Sequence, residues 1–152
     1  MGKTSAGLLM YRRTTGALQV LLVHPGGPFW AKKDDGAWSI PKGEYVDGEE
    51  AQAAAIREFE EELGFAPVGD LVDIGQIKQA SGKVVSAWAF EGDWDPALLR
   101  SNTFSMEWPP KSGLTAEFPE VDRAAWFDID TARVKLNSGQ TPLLTELAAK
   151  VG

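Results

Sequence analysis

The chain has 152 residues, 43% of them hydrophobic and six of them Trp, enough apolar material for a single folded domain over residues 1–152. Its 15 Lys and Arg against 22 Asp and Glu leave a formal charge of −7, so its overall field does not draw it to nucleic acid. It contains no Cys and one His, which excludes disulfides, thiolate metal sites, cysteine nucleophiles and multi-histidine centres.

Residues 5–12 and 17–24, rich in Leu and Val around a turn at 14–16, read as an antiparallel hairpin. A Pro- and Gly-containing loop over 25–36 leads into a short strand at 37–40 and then Pro41-Lys42-Gly43. Asp47 is a suitable N-cap, with Glu50 three residues on as its capping-box partner, for a helix over 48–63 that Gly64 stops. Residues 70–79 and 84–93 read as two strands around Ser81-Gly82, and 96–113, with Trp108-Pro109-Pro110, reads as irregular. A short strand at 124–128, a helix capped by Asp130 and running to Leu136, and a final helix over 141–151 close the chain. In that last helix Leu143, Leu144, Leu147 and Val151 share one side. This order predicts an α+β fold with a mixed sheet held between helices.

The chemistry concentrates between Gly43 and Phe65. After Gly43 come five residues, then Glu49, seven more residues, and Arg57-Glu58-Phe59-Glu60-Glu61-Glu62-Leu63-Gly64-Phe65. On a helix, Glu58, Glu61 and Glu62 fall within an arc of about 100°, beside an apolar stripe of Ile56, Phe59 and Leu63. Carboxylates at that spacing repel one another, and without a cation some of them bind protons. They are hard oxygen ligands of the kind Mg²⁺ or Mn²⁺ takes, together with water and substrate phosphate, and they are unsuited to structural zinc. A glutamate-rich helix face taken alone is ordinary solvated surface; the flanking pattern is what separates this one from that reading.

That pattern resembles the Nudix box, the signature of the Nudix (MutT-like) hydrolase family. Gly43, Glu49, Arg57, Glu58, Glu61, Glu62 and Gly64 stand at its fixed positions, and Phe59 and Phe65 at its two apolar ones. The resemblance implies the Nudix α/β/α sandwich and an enzyme that hydrolyses a phosphoanhydride in a nucleoside diphosphate linked to another group. It implies Glu61 and Glu62 as metal ligands, Glu58 as a further ligand or the general base, and the Lys42 carbonyl as another ligand. Arg57 is then expected to hold the glutamates in place, one turn from Glu61, and Glu49 to support the loop. Family members often supply another acid from a loop just before a late aromatic strand. Glu120, six residues ahead of Trp126, fits, with Glu117 as the fallback.

Substrate marks are mixed. Pro41-Lys42-Gly43 and the segment from Gly7 to Arg13 resemble the diadenosine tetraphosphate hydrolases of the family. The tyrosine those enzymes carry 16 to 18 residues after the box is missing, since Ser81, Gly82 and Lys83 stand there. The proline of ADP-ribose hydrolases is also absent, near Ala80. Lys32, Lys33 and Lys42 are candidates to meet phosphate, and Trp38, Trp30 or Trp108 to stack on a base. His24, at a strand end, reads as structural. The alternatives are hydrolysis of ADP-ribose or of nucleoside triphosphates, and a nucleotide-sensing Nudix module without turnover. A homodimer is an expectation drawn from the family. No apolar run approaches the roughly 20 residues of a membrane span, and no signal-peptide core is seen. With no cysteine present, a cytoplasmic setting is expected.

Overall fold

A computed structural model of the chain describes residues 4–14, 16–46, 48–79 and 81–152. Its centre is strand β1 (Thr4–Thr14), which pairs antiparallel with β2 (Ala17–Pro25) and parallel with β5 (Val84–Glu91). Outward from these, β4 (Val72–Lys78) joins β5 and β8 (Val121–Asp128) joins β2, both antiparallel. The order is therefore β4-β5-β1-β2-β8, with the short β3 (Lys42–Glu44) pairing with the start of β1. This is the mixed sheet that the order of elements predicts, and the expected β1–β2 hairpin is present.

A strand covered on both faces reads as a near-continuous apolar run, and β1 is buried from Ser5 through Tyr11. Its side chains alternate between two cores, as the period of two requires. Ala6, Leu8 and Met10 pack with Ala54, Ala55, Phe59 and Leu63 of helix α1 (Ala51–Leu63). Leu9 and Tyr11 pack on the other side with Ala132 of α2 (Ile129–Lys135) and Leu143, Leu144 and Leu147 of α3 (Pro142–Val151). Each fully buried Leu or Phe in these layers contributes about 1.5–3 kcal/mol. The result is an α/β/α sandwich with three α-helices among the described residues.

Several expectations are corrected. Residues 37–40 form no strand: Ser39 exchanges two main-chain bonds with Val23, and Trp38 bridges to Leu136, so the segment is stitched to β2 and to the end of α2. Helix α1 begins at Ala51, not at 48, with Glu50 as an extended N-cap that makes no side-chain cap bond. Just ahead of it the Glu49 carboxylate accepts from Arg57; Asp47 and Ala80 lie outside the described residues. Asp128, not Asp130, caps α2, accepting from the Thr131 N–H at 2.8 Å. The last strand starts at Val121, three residues earlier than predicted.

The segment read as irregular contains a hairpin, β6 (Thr103–Glu107) and β7 (Thr115–Pro119), a two-stranded sheet of its own. Trp108-Pro109-Pro110 lies in its turn, where the Glu107 carboxylate accepts from the N–H groups of Lys111 and Gly113. The hairpin's base adjoins helix α1: Asn102 donates its N–H to the Glu61 carbonyl and accepts from the Glu120 N–H.

Candidate active site

Gly64 ends α1 in the left-handed conformation, φ 93°, with its N–H on the Glu60 carbonyl at 2.8 Å. The last two turns of that helix carry the acids. Glu62 points inward and is only 9% exposed, Glu58 is largely covered, and Glu61 lies at the rim. Arg57 runs along their flank. Its guanidinium donates to both Glu49 oxygens at 2.9 and 3.2 Å, to Glu58 at 3.0 Å and to Glu61 at 3.3 Å. These bonds hold the guanidinium charged, its proton affinity raised above the usual value, with Glu49 as the first cause. A planar fork fixed on three carboxylates orients them as a single ammonium could not.

Strand β3 brings the other wall. Its pairing sets Lys42 opposite Gly7 and Gly43 opposite Ala6. Both glycines are needed for close approach, not for a special backbone angle. A Cβ on Gly43 would collide with the Glu58 carboxylate, and one on Gly7 would lie 2.6 Å from the Pro41 carbonyl oxygen. The Lys42 backbone and ammonium favour the charged form of Glu62, against the larger effect of burial. The Lys42 ammonium is drawn from water, which lowers its pKa, with repulsion from Lys83 adding to this and Glu62, Glu44 and Glu58 opposing it.

Glu120 enters from the junction of β7 and β8, held by main-chain bonds to Asn102 and Gly26. A cavity of about 180 Å³ is lined by Lys42, Glu62 and Glu120 together with Val23, Ile40 and Val121. Burial raises the pKa of Glu62 well above the usual carboxylate value, with Glu58 and then Glu120 adding repulsion. Glu58 is raised by burial and by Glu61, and Glu120 by burial, Glu58 and Glu61. Larger hollows of about 500 and 490 Å³ lie elsewhere, one between β4 and α3 and one beside Arg12 and Trp126. Neither contains a carboxylate of α1, so size does not identify the site; the clustered acids do.

These carboxylates are hard oxygen donors with excess negative charge, a donor set that suits a divalent cation. Among the described residues, no three His, Asp or Glu side chains already converge to hold an ion. The fit thus lies in the chemistry of the donors and in their repulsion, which a cation would relieve.

The remaining candidates fall elsewhere. Trp38 does not offer a face to a ligand. It is 5% exposed, donates its indole N–H to Asp34 at 2.8 Å, and meets His24 and Phe127 edge-on in the α3-side core. Its expected role as a stacking surface is therefore corrected: it is a packing residue. Lys32 and Lys33 are exposed in the loop after β2. Glu117, the fallback acid, is exposed on β7 and accepts from the Thr103 hydroxyl at 3.3 Å. Not foreseen from the sequence were Gly7, Asn102 and Ser101, whose hydroxyl oxygen accepts from the Val121 N–H at 2.9 Å. Gly7 and Asn102 hold the walls through main-chain contacts and Ser101 through its hydroxyl, none of which leaves a spacing signal.

The sequence matches the NUDIX domain family over residues 1–147, and the chain belongs to that family. Among solved structures it is similar to the Ap4A hydrolase of C. elegans, at 21% identity with 100% of both chains covered and a TM-score of 0.65. It is also similar to the NUDIX domain of Shewanella oneidensis NrtR complexed with ADP ribose, at 14% identity over 100% of this chain and 90% of that one, TM-score 0.67. A MutT protein from Methanosarcina mazei Go1 shares 18% identity over 97% and 94% of the two chains, TM-score 0.59. No curated protein matches the sequence.

Proposed function

We propose that the chain is a divalent-metal-dependent pyrophosphohydrolase that cleaves a phosphoanhydride of a nucleoside diphosphate derivative, with a dinucleoside polyphosphate as the first substrate class. The observation that carries this reading is the gathering of Glu62, Glu120 and Lys42 around one cavity, with Glu58 acting electrostatically on both acids, in a chain that has every fixed position of the Nudix box. Mg²⁺ or Mn²⁺, held by Glu58, Glu61, Glu62, Glu120 and the Lys42 carbonyl, would neutralise the diphosphate and acidify a bound water.

The protein's own groups do the rest. Arg57 orients Glu58 and Glu61. The Lys42 ammonium meets phosphate oxygens, and Lys32 and Lys33 approach the same anionic ligand from the loop. Glu58 accepts the proton of the attacking water, its proton affinity raised by burial and by Glu61, with Glu61 as the alternative acceptor. The water oxygen bonds to one phosphorus, the bridging P–O bond breaks, and the leaving phosphate departs with the electron pair. Similarity to an Ap4A hydrolase along the whole chain supports the substrate class.

A second reading, a sensor that binds a nucleotide without turning it over, is favoured by one observation: the similar NrtR domain was crystallised with ADP ribose. A cytosolic homodimer without nucleic-acid or membrane partners belongs to the first reading, in line with the acidic, cysteine-free composition. No helix of the described residues is long and apolar enough to cross a membrane. Turnover of diadenosine tetraphosphate in Mg²⁺ by wild type, Glu61→Gln and Glu62→Gln decides between the readings. Hydrolysis lost in both variants is expected; full activity in both would remove the assignment, and binding without turnover in wild type would favour the sensor.

A further inference from the structure

The loop after β2 and the β6–β7 hairpin face each other beside the acidic cavity, and aromatic rings fill the space between them. Phe29 meets Trp108 edge to face, with centroids 5.9 Å apart and planes at 80°. Trp30 follows, with the Lys33 ammonium 5.2 Å from its ring centroid. A single exposed hydrophobic side chain is ordinary. Here Phe29 is 63% exposed and Trp30 39%, consecutive in the chain, with Phe29 against Trp108, Lys33 over the Trp30 ring and Lys32 between them in sequence. Exposed aromatic rings beside cations offer a surface to a flat anionic ligand.

The patch is preformed. His24, fully buried, joins the Asp122 carboxylate at 2.8 Å and the Lys33 carbonyl at 2.6 Å, and so ties the loop to β8. Within the loop the Trp30 N–H donates to the Gly27 carbonyl and the Lys33 N–H to the Trp30 carbonyl. A surface already ordered loses little freedom when it binds. The loop also starts at the cavity wall, which Pro25 and Glu120 both line. Gly26 donates its N–H to the Glu120 carbonyl at 3.0 Å, and the three residues from Gly26 to Phe29 reach at most about 11 Å.

We infer that Phe29 and Trp30, backed by Trp108, form a subsite that stacks the nucleobase of the substrate, while Lys32 and Lys33 meet its phosphates. The inference rests on the nucleotide reading above and assigns the base its place in it. The chemistry selects the occupant. A nucleotide brings one flat π-face and one anionic chain in succession, and the surface offers rings beside cations next to the diphosphate-handling cavity.

The test is calorimetric titration with ADP, and separately with inorganic pyrophosphate, in Mg²⁺, on wild type and on a Phe29→Ala/Trp30→Ala variant. Both side chains are exposed, so the fold is expected to survive, and circular dichroism checks this. The affinity for ADP should fall about ten- to a hundred-fold, the worth of a lost base–aromatic stack, with pyrophosphate binding unchanged. On a hydrolysed substrate KM should rise more than kcat falls. The inference is overturned by no ADP binding in wild type, by equal ADP affinity in both proteins, or by a parallel loss of pyrophosphate binding. It is equally overturned if the substitutions change the oligomeric state, which would make the patch an interface between copies. Binding is read without turnover, so an inactive wild type that still loses ADP in the variant would refute hydrolysis and keep the base subsite.

Discussion

Replacing Gly7 by Ala tests whether the wall that carries Lys42 is positioned by close packing against β1. Gly7 stands opposite Lys42 in the β1–β3 pairing, and its φ is not in the left-handed range, so Ala meets no backbone penalty. The added Cβ would lie 2.6 Å from the Pro41 carbonyl oxygen and 2.8 Å from Lys42 Cβ. Ordinary contact begins at 3.4 Å, so Pro41 must retreat by about 0.8 Å and Lys42 by about 0.6 Å. Pro41 also accepts the Leu8 N–H at 3.1 Å, so the segment cannot withdraw without weakening that bond. The movement shifts Lys42 out of its place in the cavity wall beside Glu62. A misplacement approaching 1 Å costs about 10²-fold in rate, while overpacking costs about 1–3 kcal/mol of stability, a few degrees in Tm at this chain length. The assay is kcat/KM for diadenosine tetraphosphate in Mg²⁺ beside a thermal melt. A lowered Tm with wild-type kcat/KM would refute the coupling between this wall and the site.

Arg57→Lys keeps a charge but loses the fork that spans Glu49, Glu58 and Glu61; a drop of about 10- to 100-fold in activity or in Mn²⁺ affinity is expected, read by steady-state kinetics and metal titration. With a chelator present, thermal stability should rise as pH falls from neutral toward about 5. The folded pKa values of Glu58, Glu62 and Glu120 stand above the unfolded 4.5, so their contribution is complete below that value and is lost as pH rises through the folded ones. Further acidification acts oppositely through Asp34, Asp93 and Asp128, whose pKa values are lowered from 3.8. Saturating Mg²⁺ should flatten the rise, and melts that are equally pH-dependent with and without metal would contradict this. Trp38→Phe removes the indole bond to Asp34 and should cost about 1 kcal/mol with KM unchanged, whereas a raised KM would return Trp38 to the substrate site.

The acids of α1 were legible in the sequence because their chemistry is local: Arg57 to Glu62 share one helix, and spacing along it sets which side chains meet. The alternating and continuous apolar runs likewise exposed the strands of the sandwich. What escaped depends on partners far along the chain. Trp38 looks like any loop tryptophan until Phe127 and Leu136 close over it. The 103–119 hairpin was masked by Pro109 and Pro110, which break strands but sit in its turn. The start of α1 at Ala51 is not marked by a side-chain cap, since Glu50 makes no cap bond and Glu49 pairs with Arg57. The place of Glu120 in the cavity wall rests on main-chain bonds to Asn102 and Gly26, which no side-chain pattern records.

The most direct measurement is turnover of a panel of diadenosine polyphosphates, ADP-ribose, nucleoside-diphosphate sugars and nucleoside triphosphates, with products separated by chromatography. It is run with Mg²⁺, after chelation, and after Mg²⁺ is restored. The account predicts cleavage of a phosphoanhydride in at least one class, lost on chelation and recovered with the ion. Turnover indifferent to chelation, or none from a folded protein with Mg²⁺ bound, would contradict it.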